Sequence, residues 1–435
     1  MKNIINRTGL LHELVMISVL LICNSIYASD DTFSVNGMVF SLETTTTVYI
    51  EQLDVPENGE VVLPSEVSYN NRTFKVTGVG GEDNTLFRNP EKLIKLVIPA
   101  SIKYINSDSY FGTAWQFRNC VNLKYIIIED SEEQLGFPCN KHDSSYDTRE
   151  SIFINCPLEE VYIGRNIIYG VYDRGSYKDI DTPKNYGSPF KGKQLKKVEL
   201  SDKVSIIKPG LFCGCKELEE IIIPPKVVEI PTCAFSGCSS LSQIVFPDSL
   251  QSIGFYAFNY CQLKSIILPD RVEKMEDCAF KNCSELTSFT INDRLSYIAA
   301  SAFMGCEKLS KIVIGKSVEN IYKDAFNGAS IQQIESKILE PNRCKIYDDA
   351  FSMSTYAFAT LYVPQGTKEK YKEAFGWRDF YIIEEMQTNA INNINIDSAK
   401  SEIYYDINGY QTLQPHKGIN IKVMSDGTSK KIFVK

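Results

Sequence analysis

Histidine is nearly absent from this chain: His12, His142 and His416 are the only three in 435 residues. A Ser or Cys nucleophile needs a base within hydrogen-bond reach, and histidines so far apart along the chain place none. Zinc wants three or four closely spaced ligands, which lone histidines do not supply. Asp173, Asp179 and Asp181 cluster, but without the Asp-x-Asp-x-Asn-Gly order of a calcium loop they read as a solvated loop. Basic runs are missing too. No more than two Lys or Arg are adjacent and the formal net charge is −8, which argues against nucleic acid or anionic lipid as a partner. No stretch beyond the N-terminus approaches 18 consecutive apolar residues, so no integral membrane segment is expected in the mature chain. These absences leave no basis for an enzyme, a cofactor or a metal site.

What is present is a phenylalanine at nearly constant spacing. Phe212, Phe235, Phe258, Phe280, Phe303 and Phe326 are separated by 23, 23, 22, 23 and 23 residues. A fixed period of this size signals stacked repeats. One unit runs from Leu218 to Ser240, and later units open at Leu241, Leu263, Leu286, Leu309 and Ile331. Each begins with a short strand in which Leu218, Ile221 and Ile223, or their equivalents, face inward while Glu220 and Ile222 face out. Pro224, Pro247 and Pro269 stop three of these strands. A second apolar pair follows (Val227 and Ile230, Leu250 and Ile253, Val272 and Met275), then Ala-Phe, then Cys three places on. The few apolar groups of one unit cannot offset the backbone entropy of ordering it. Stacking can, because each Phe and Ile then packs on its equivalents above and below.

The register continues upstream with longer coils. Phe87, Phe117, Phe153 and Phe190 are spaced 30, 36 and 37 residues apart, with strand starts at Leu93, Leu123, Leu158 and Leu195. The surplus residues fall in loops that contain 107–115, 131–150 and 169–188. Insertions of this kind project from one face of a solenoid and often bind.

Thirteen cysteines in an exported chain would ordinarily suggest disulfides. Seven of them (Cys120, Cys156, Cys215, Cys238, Cys261, Cys283 and Cys306) instead sit three residues after the periodic Phe. Repetition in register favours small buried thiols inside the coil turns. Cys233 and Cys278 lie two coils apart, too far to bridge. One bridge among Cys139, Cys213 and Cys344 stays open.

The Leu-x-x-Ile-x-Ile-Pro strand and the Ile-x-x-x-Ala-Phe-x-x-Cys tail, best matched from Leu218 to Cys306, resemble the BspA-like (Treponema pallidum type) leucine-rich repeat family. The resemblance covers residues 35 to 384. It implies a secreted or surface protein associated with adhesion, with no catalytic residues to carry over. The long early coils and the Ile331 coil depart from the pattern.

The expected architecture is a β-rich solenoid of leucine-rich repeats with a parallel β-sheet spine, capped at both ends, plus a small C-terminal β module. Residues 1–28 read as a signal peptide. Lys2 and Arg7 precede an apolar core from Leu14 to Ile22 that is too short to span a bilayer, and Ala28 is the expected cleavage position. Cys23 as a lipidation site is disfavoured by the bulky Ile22 before it. Residues 29–86 form an N-terminal β cap, with Thr44–Ile50 extended and a turn at Asn70-Asn71. Residues 87–386 form the solenoid, closed by a strand at Thr360–Val363, a helix over Lys368–Phe375, and Trp377 and Phe380 over the last coil. Residues 387–435 form a small β tail. Its Tyr405-Asp406-Ile407-Asn408-Gly409, Lys417-Gly418-Ile419 and Lys430-Lys431 resemble the sorting tails of type IX export, and a plain strand-rich cap is the alternative.

Two surfaces are candidates for ligand contact. The first is the set of loop aromatics Tyr110, Phe111, Trp115, Tyr146, Tyr169, Tyr172 and Tyr177, since aromatics on irregular loops are typical contact residues. The alternative is that some fold back over the enlarged coils. The second is the outward mid-strand column Glu199, Ile222, Val245, Ile267, Thr290 and Val313, flanked by Lys197, Glu220, Gln243, Ser265, Ser288 and Lys311. Here the alternative is that β-branched residues simply suit a sheet. The expected function is a secreted or cell-surface binding protein that adheres to host protein or glycan. A structural component of an envelope complex is the alternative.

Overall fold

The computed structural model describes residues 32–80, 86–105, 117, 119–137, 153, 155–169 and 188–386. It also describes tail strands at Ile403–Asp406, Gln411–Thr412, Gly418–Val423 and Ser429–Val434. The chain divides into two units, residues 1–218 and 219–435.

The first unit opens with antiparallel strands. Thr32–Val35 turns through Asn36 and Gly37, both at positive φ, into Met38–Leu42. That strand pairs with Thr47–Asp54. The extended run starts only at Thr47, because the Thr44 hydroxyl accepts the amides of Thr46 and Thr47 and turns the chain there. Glu66–Tyr69 and Arg72–Val79 form a hairpin through Asn70 and Asn71, also at positive φ, as the Asn-Asn signal predicts.

Two parallel ladders then climb the unit, and the opening segment supplies the first rung of each. The outer ladder runs Glu60–Val62, Lys95–Ile98, Tyr125–Ile128, Glu160–Ile163, Lys197–Leu200. The other runs Arg72–Val79, Tyr104–Ile105, Leu135–Gly136, Ile167–Ile168. Between the ladders lies the core, where Leu96, Ile126, Val161, Phe117, Phe153 and Phe190 are buried.

The second unit repeats this plan with less variation. Glu220–Ile222 pairs with Gln243–Val245. A six-stranded sheet then runs from Ser265–Ile267 through Ser288–Thr290, Lys311–Ile314, Gln333–Ser336 and Thr360–Val363 to Ile382–Glu385. The ladder is interrupted between Gln243–Val245 and Ser265–Ile267, so the parallel spine runs as more than one sheet. The second apolar pair forms its own two-residue parallel rungs: Glu229–Ile230, Ser252–Ile253, Lys274–Met275, and then Tyr297–Ile298, Asn320–Ile321, Lys345–Ile346.

The Ala-Phe turns are joined by a third set of bonds. The amides of Phe235, Phe258, Phe280 and Phe303 donate to the carbonyls of Ala257, Ala279, Ala302 and Ala325 one coil on, at 2.8–2.9 Å. The column cysteines explain their own recurrence. The thiols of Cys261, Cys283 and Cys306 donate to the carbonyls of Phe235, Phe258 and Phe280 one coil back, at 3.1–3.2 Å. A Cys here fills a small buried space and satisfies a carbonyl as well.

Residues two before and two after the periodic Phe take positive φ, Cys233 and Gly237 around Phe235 and Tyr256 and Tyr260 around Phe258. The pair of left-handed residues gives each Ala-Phe turn its reversal. The stack ends with Tyr371 and Trp377 packed edge to face at 5.2 Å, both fully buried, and Phe380 against Phe351. Tyr371 sits on the helix Lys368–Glu373 and donates its hydroxyl to the Ile338 carbonyl at 2.8 Å.

Candidate functional site

Strand alternation places every second side chain of the first unit's outer ladder on its exposed face. The parallel register then lines these side chains up. Glu60, Lys95, Tyr125, Glu160 and Lys197 form one row; Val62, Val97, Ile127, Tyr162 and Glu199 form the next. All of them except Val62 and Val97 line a shallow groove of about 410 Å³, within the size range of ligand sites. Val62 is 61% exposed, while Val97, Ile127, Tyr125 and Tyr162 are half-buried. The floor is therefore aliphatic and aromatic, and the charges stand at its ends and along one row.

The Tyr162 hydroxyl donates to Asp130 Oδ1 at 2.7 Å, which raises its pKa and ties the ring to the coil before it. Lys95 pairs with Glu60 at 3.7 Å and Lys197 with Glu199 at 3.7 Å. Just outside the groove Glu159 lies between Lys124 at 2.9 Å and Lys196 at 3.3 Å, which hold its carboxyl below the usual range. Glu160 has no cationic partner among the described residues.

In the turn after Glu160–Ile163 a buried arginine ties the coils together. Arg165 is fully buried and donates to the carbonyls of Pro99, Ala100 and Ile102 at 2.8–3.0 Å. Burial pulls its pKa down, and Glu129 and Glu133 oppose that shift. The preceding Gly164 lies so close to the backbone of Glu129 and Asp130 that a Cβ would collide with it. The turn between Ile128 and Leu135 thus lies over Gly164, and the long Arg165 side chain reaches the coil beyond it. In the second unit Asn292 does the equivalent work at shorter range, donating to Pro269 and Val272 at 2.7 and 2.8 Å.

The expected contact residues fare unequally. Tyr110, Phe111, Trp115, Tyr146, Tyr172 and Tyr177 lie outside the described residues, as do Asp173, Asp179, Asp181, Cys139 and the signal segment. Tyr169 is described and is not a loop contact. It is 6% exposed and donates its hydroxyl to the Pro209 carbonyl at 2.9 Å, closing the coil interior. In the mid-strand column Ile222 and Ile267 are 51% and 60% exposed, whereas Val245, Thr290 and Val313 are half-buried. The apolar ribbon is real at Ile222 and Ile267 and shielded elsewhere.

The groove residues Tyr125, Ile127, Glu160 and Tyr162 were absent from that column as read from Glu199 onward. The signal for them was available. They stand two and four residues after Leu123 and Leu158, the phase that Glu220 and Ile222 hold after Leu218.

The described cysteines are buried, and Cys213 and Cys344 are unbridged thiols. Burial pushes Cys213, Cys215, Cys306 and Cys344 up to about 12, so these thiols are neutral and unreactive at physiological pH. Among the described residues no helix is long and apolar enough to cross a membrane.

Residues 83–169, 186–262, 251–380 and 281–411 match the BspA type Leucine rich repeat region, and the chain belongs to that family. Solved structures similar to it include a leucine-rich repeat protein from Bacteroides ovatus ATCC 8483 (19% identity over 82% of this chain and 100% of that one, TM-score 0.43). A leucine rich cell surface protein from Faecalibacterium prausnitzii A2-165 has 17% identity over 83% and 96%, TM-score 0.33. The Leucine Rich Repeat protein of T. pallidum has 18% identity over 68% and 89%, TM-score 0.21. No curated protein matches.

Proposed function

We propose that this is an exported, surface-displayed binding protein that adheres to another macromolecule through the outward face of its parallel sheet. The observation that carries this reading is the groove lined by Tyr125, Ile127 and Tyr162. Solenoid repeats present extended binding surfaces of this kind, and half-buried aromatics with a charged rim are the usual make-up of a contact patch. Catalysis has no part in it, because the buried column thiols are too basic to act as nucleophiles. Export rests on the basic-then-apolar segment before Ala28, and type IX sorting on the four-stranded tail sheet together with Tyr405 to Gly409 and Lys430-Lys431.

The test is capture of ligands from host-matrix protein and glycan arrays by the mature chain. Binding is expected, and Tyr125→Ala with Ile127→Ser is expected to abolish it. Retained binding in that double variant, with loss on shortening the loops within 107–188, would move the site to the loops. A second reading, assembly into an envelope complex, is favoured by the exposed Ile222 and Ile267. Light scattering after size exclusion separates the two, since a monomer at high concentration counts against assembly.

A further inference from the structure

We infer that the groove takes an extended peptide segment carrying a lysine or arginine between apolar side chains, with Glu160 reading the cation. This rests on the sheet face being the ligand surface. The charge balance of the groove points to a cation. Its lining holds Glu60, Glu160 and Glu199 against Lys95 and Lys197. Lys95 is engaged by Glu60 and Lys197 by Glu199, and Glu159 is held by two lysines of its own. That leaves Glu160 as the groove carboxylate in no ion pair among the described residues, since its register partner Lys197 pairs with Glu199.

Its neighbour supplies the second half of the recognition. Tyr125 and Glu160 are direct partners in the parallel register, so a phenol ring and a carboxylate stand side by side one rung apart, about 4.8 Å. An ammonium or guanidinium placed there meets a negative charge and the face or edge of a ring together. Val62, Val97, Ile127 and Tyr162, in the adjoining row, suit the apolar side chains on either side of that cation. Five rungs span roughly 20 Å, the length of about six residues of extended chain. An acidic peptide would meet repulsion from Glu160, and a neutral glycan would leave its charge unused.

The test measures fluorescence anisotropy of labelled octapeptides with one central Lys, norleucine or Glu among Val and Leu, alongside a labelled neutral oligosaccharide. The protein is the full mature chain, wild type and with Glu160→Gln, Glu160→Lys or Tyr125→Ala, each checked by far-UV circular dichroism. Glu160 is exposed, so its variants are expected to fold. The wild type should bind the Lys peptide about tenfold tighter than the Glu peptide, with norleucine between, and added salt should shrink the gap. Glu160→Lys should reverse the order, and Glu160→Gln should bring Lys and norleucine together.

If Tyr125→Ala abolishes binding while the Glu160 variants keep the wild-type order, or if only the oligosaccharide binds, the cation reading is overturned and the sheet face stands. If Tyr125→Ala and the Glu160 variants all leave binding unchanged, the sheet-face reading falls as well. A Lys peptide that fails to bind at millimolar concentration also overturns the inference.

Discussion

The two units follow one rule with different discipline. In the second, short coils of nearly equal length stack the rings of Phe235, Phe258, Phe280, Phe303, Phe326 and Phe351 at 5.0–5.8 Å, with neighbouring planes within 12°. In the first, longer coils of unequal length tilt Phe87, Phe117 and Phe153 by 49° and 53°. Only Phe153, Phe190 and Phe212 come near parallel, at 13° and 17°. Equal coil length makes ring geometry a repeating unit. Unequal length makes each contact a separate solution, and the first unit adds special devices: a buried arginine that reaches past one coil, and a tyrosine folded back into the core. The groove lined by Tyr125, Ile127 and Tyr162 lies in this unit.

Core deletions should expose this difference most strongly. Phe280→Ala removes a ring stacked on both sides and should cost about 4–5 kcal/mol, and Phe117→Ala, tilted against its neighbours, about 3 kcal/mol. Urea unfolding midpoints check the order, and equal costs would show that ring alignment adds nothing. Next come the buried polar devices. Arg165→Met removes the guanidinium donors from the Ala100 and Ile102 carbonyls and one of the two donors of Pro99, and should cost about 3–4 kcal/mol, against about 2 kcal/mol for Asn292→Ala. A smaller loss at Arg165 would mean that water replaces the guanidinium.

Acid titration separates the units by sign. Burial would raise the Glu43 carboxyl, but hydrogen bonds from Thr77, Tyr104 and Thr47 outweigh it and hold the pKa low. Its contribution is therefore present above the unfolded carboxylate range and lost as pH falls through the depressed folded value. In the second unit burial raises Asp277 despite its bond from the Ala300 amide. That group favours the fold below its unfolded value and loses the contribution as pH rises through the folded one. Glu43→Gln should flatten the loss of stability between pH 5 and 3 (about the range of carboxylate titration), whereas Asp277→Asn should raise stability at pH 7. Thermal melts across pH read both, and the same sign for both variants would contradict the assignment.

The smallest effect lies inside the regular unit. Tyr260 is 55% exposed and holds φ 60°, where Gly237 serves one coil earlier at 75°. Tyr260→Gly should gain about 0.5–1 kcal/mol, and Gly237→Ala should lose about 1 kcal/mol. Calorimetry of both variants tests whether these turns carry strain.

The periodic Phe, the inward Ile pairs, the Cys three places on and the Asn70-Asn71 turn were legible because each is a local pattern with one stable reading. Tyr169 was misread because a tyrosine beside an insertion looks the same whether it projects or folds back. Only the acceptor at Pro209, far along the chain, decides which. Arg165 gave no signal, since a lone arginine after a strand is ordinarily solvated. The groove was half legible: the phase after Leu123 and Leu158 marks which side chains face outward, but not which of them lack a partner.

The chain alone determined that the protein is a stack. A short, fixed period with too little apolar surface per unit has no stable solution except burial against its own copies. Tertiary structure decided where the sheets break, which tyrosine is core, and that Glu160 stands beside Tyr125 outside any ion pair among the described residues. These outcomes depend on the side chain one coil above or below, and neighbours in a solenoid are set by register across a whole coil, a distance no local pattern spans.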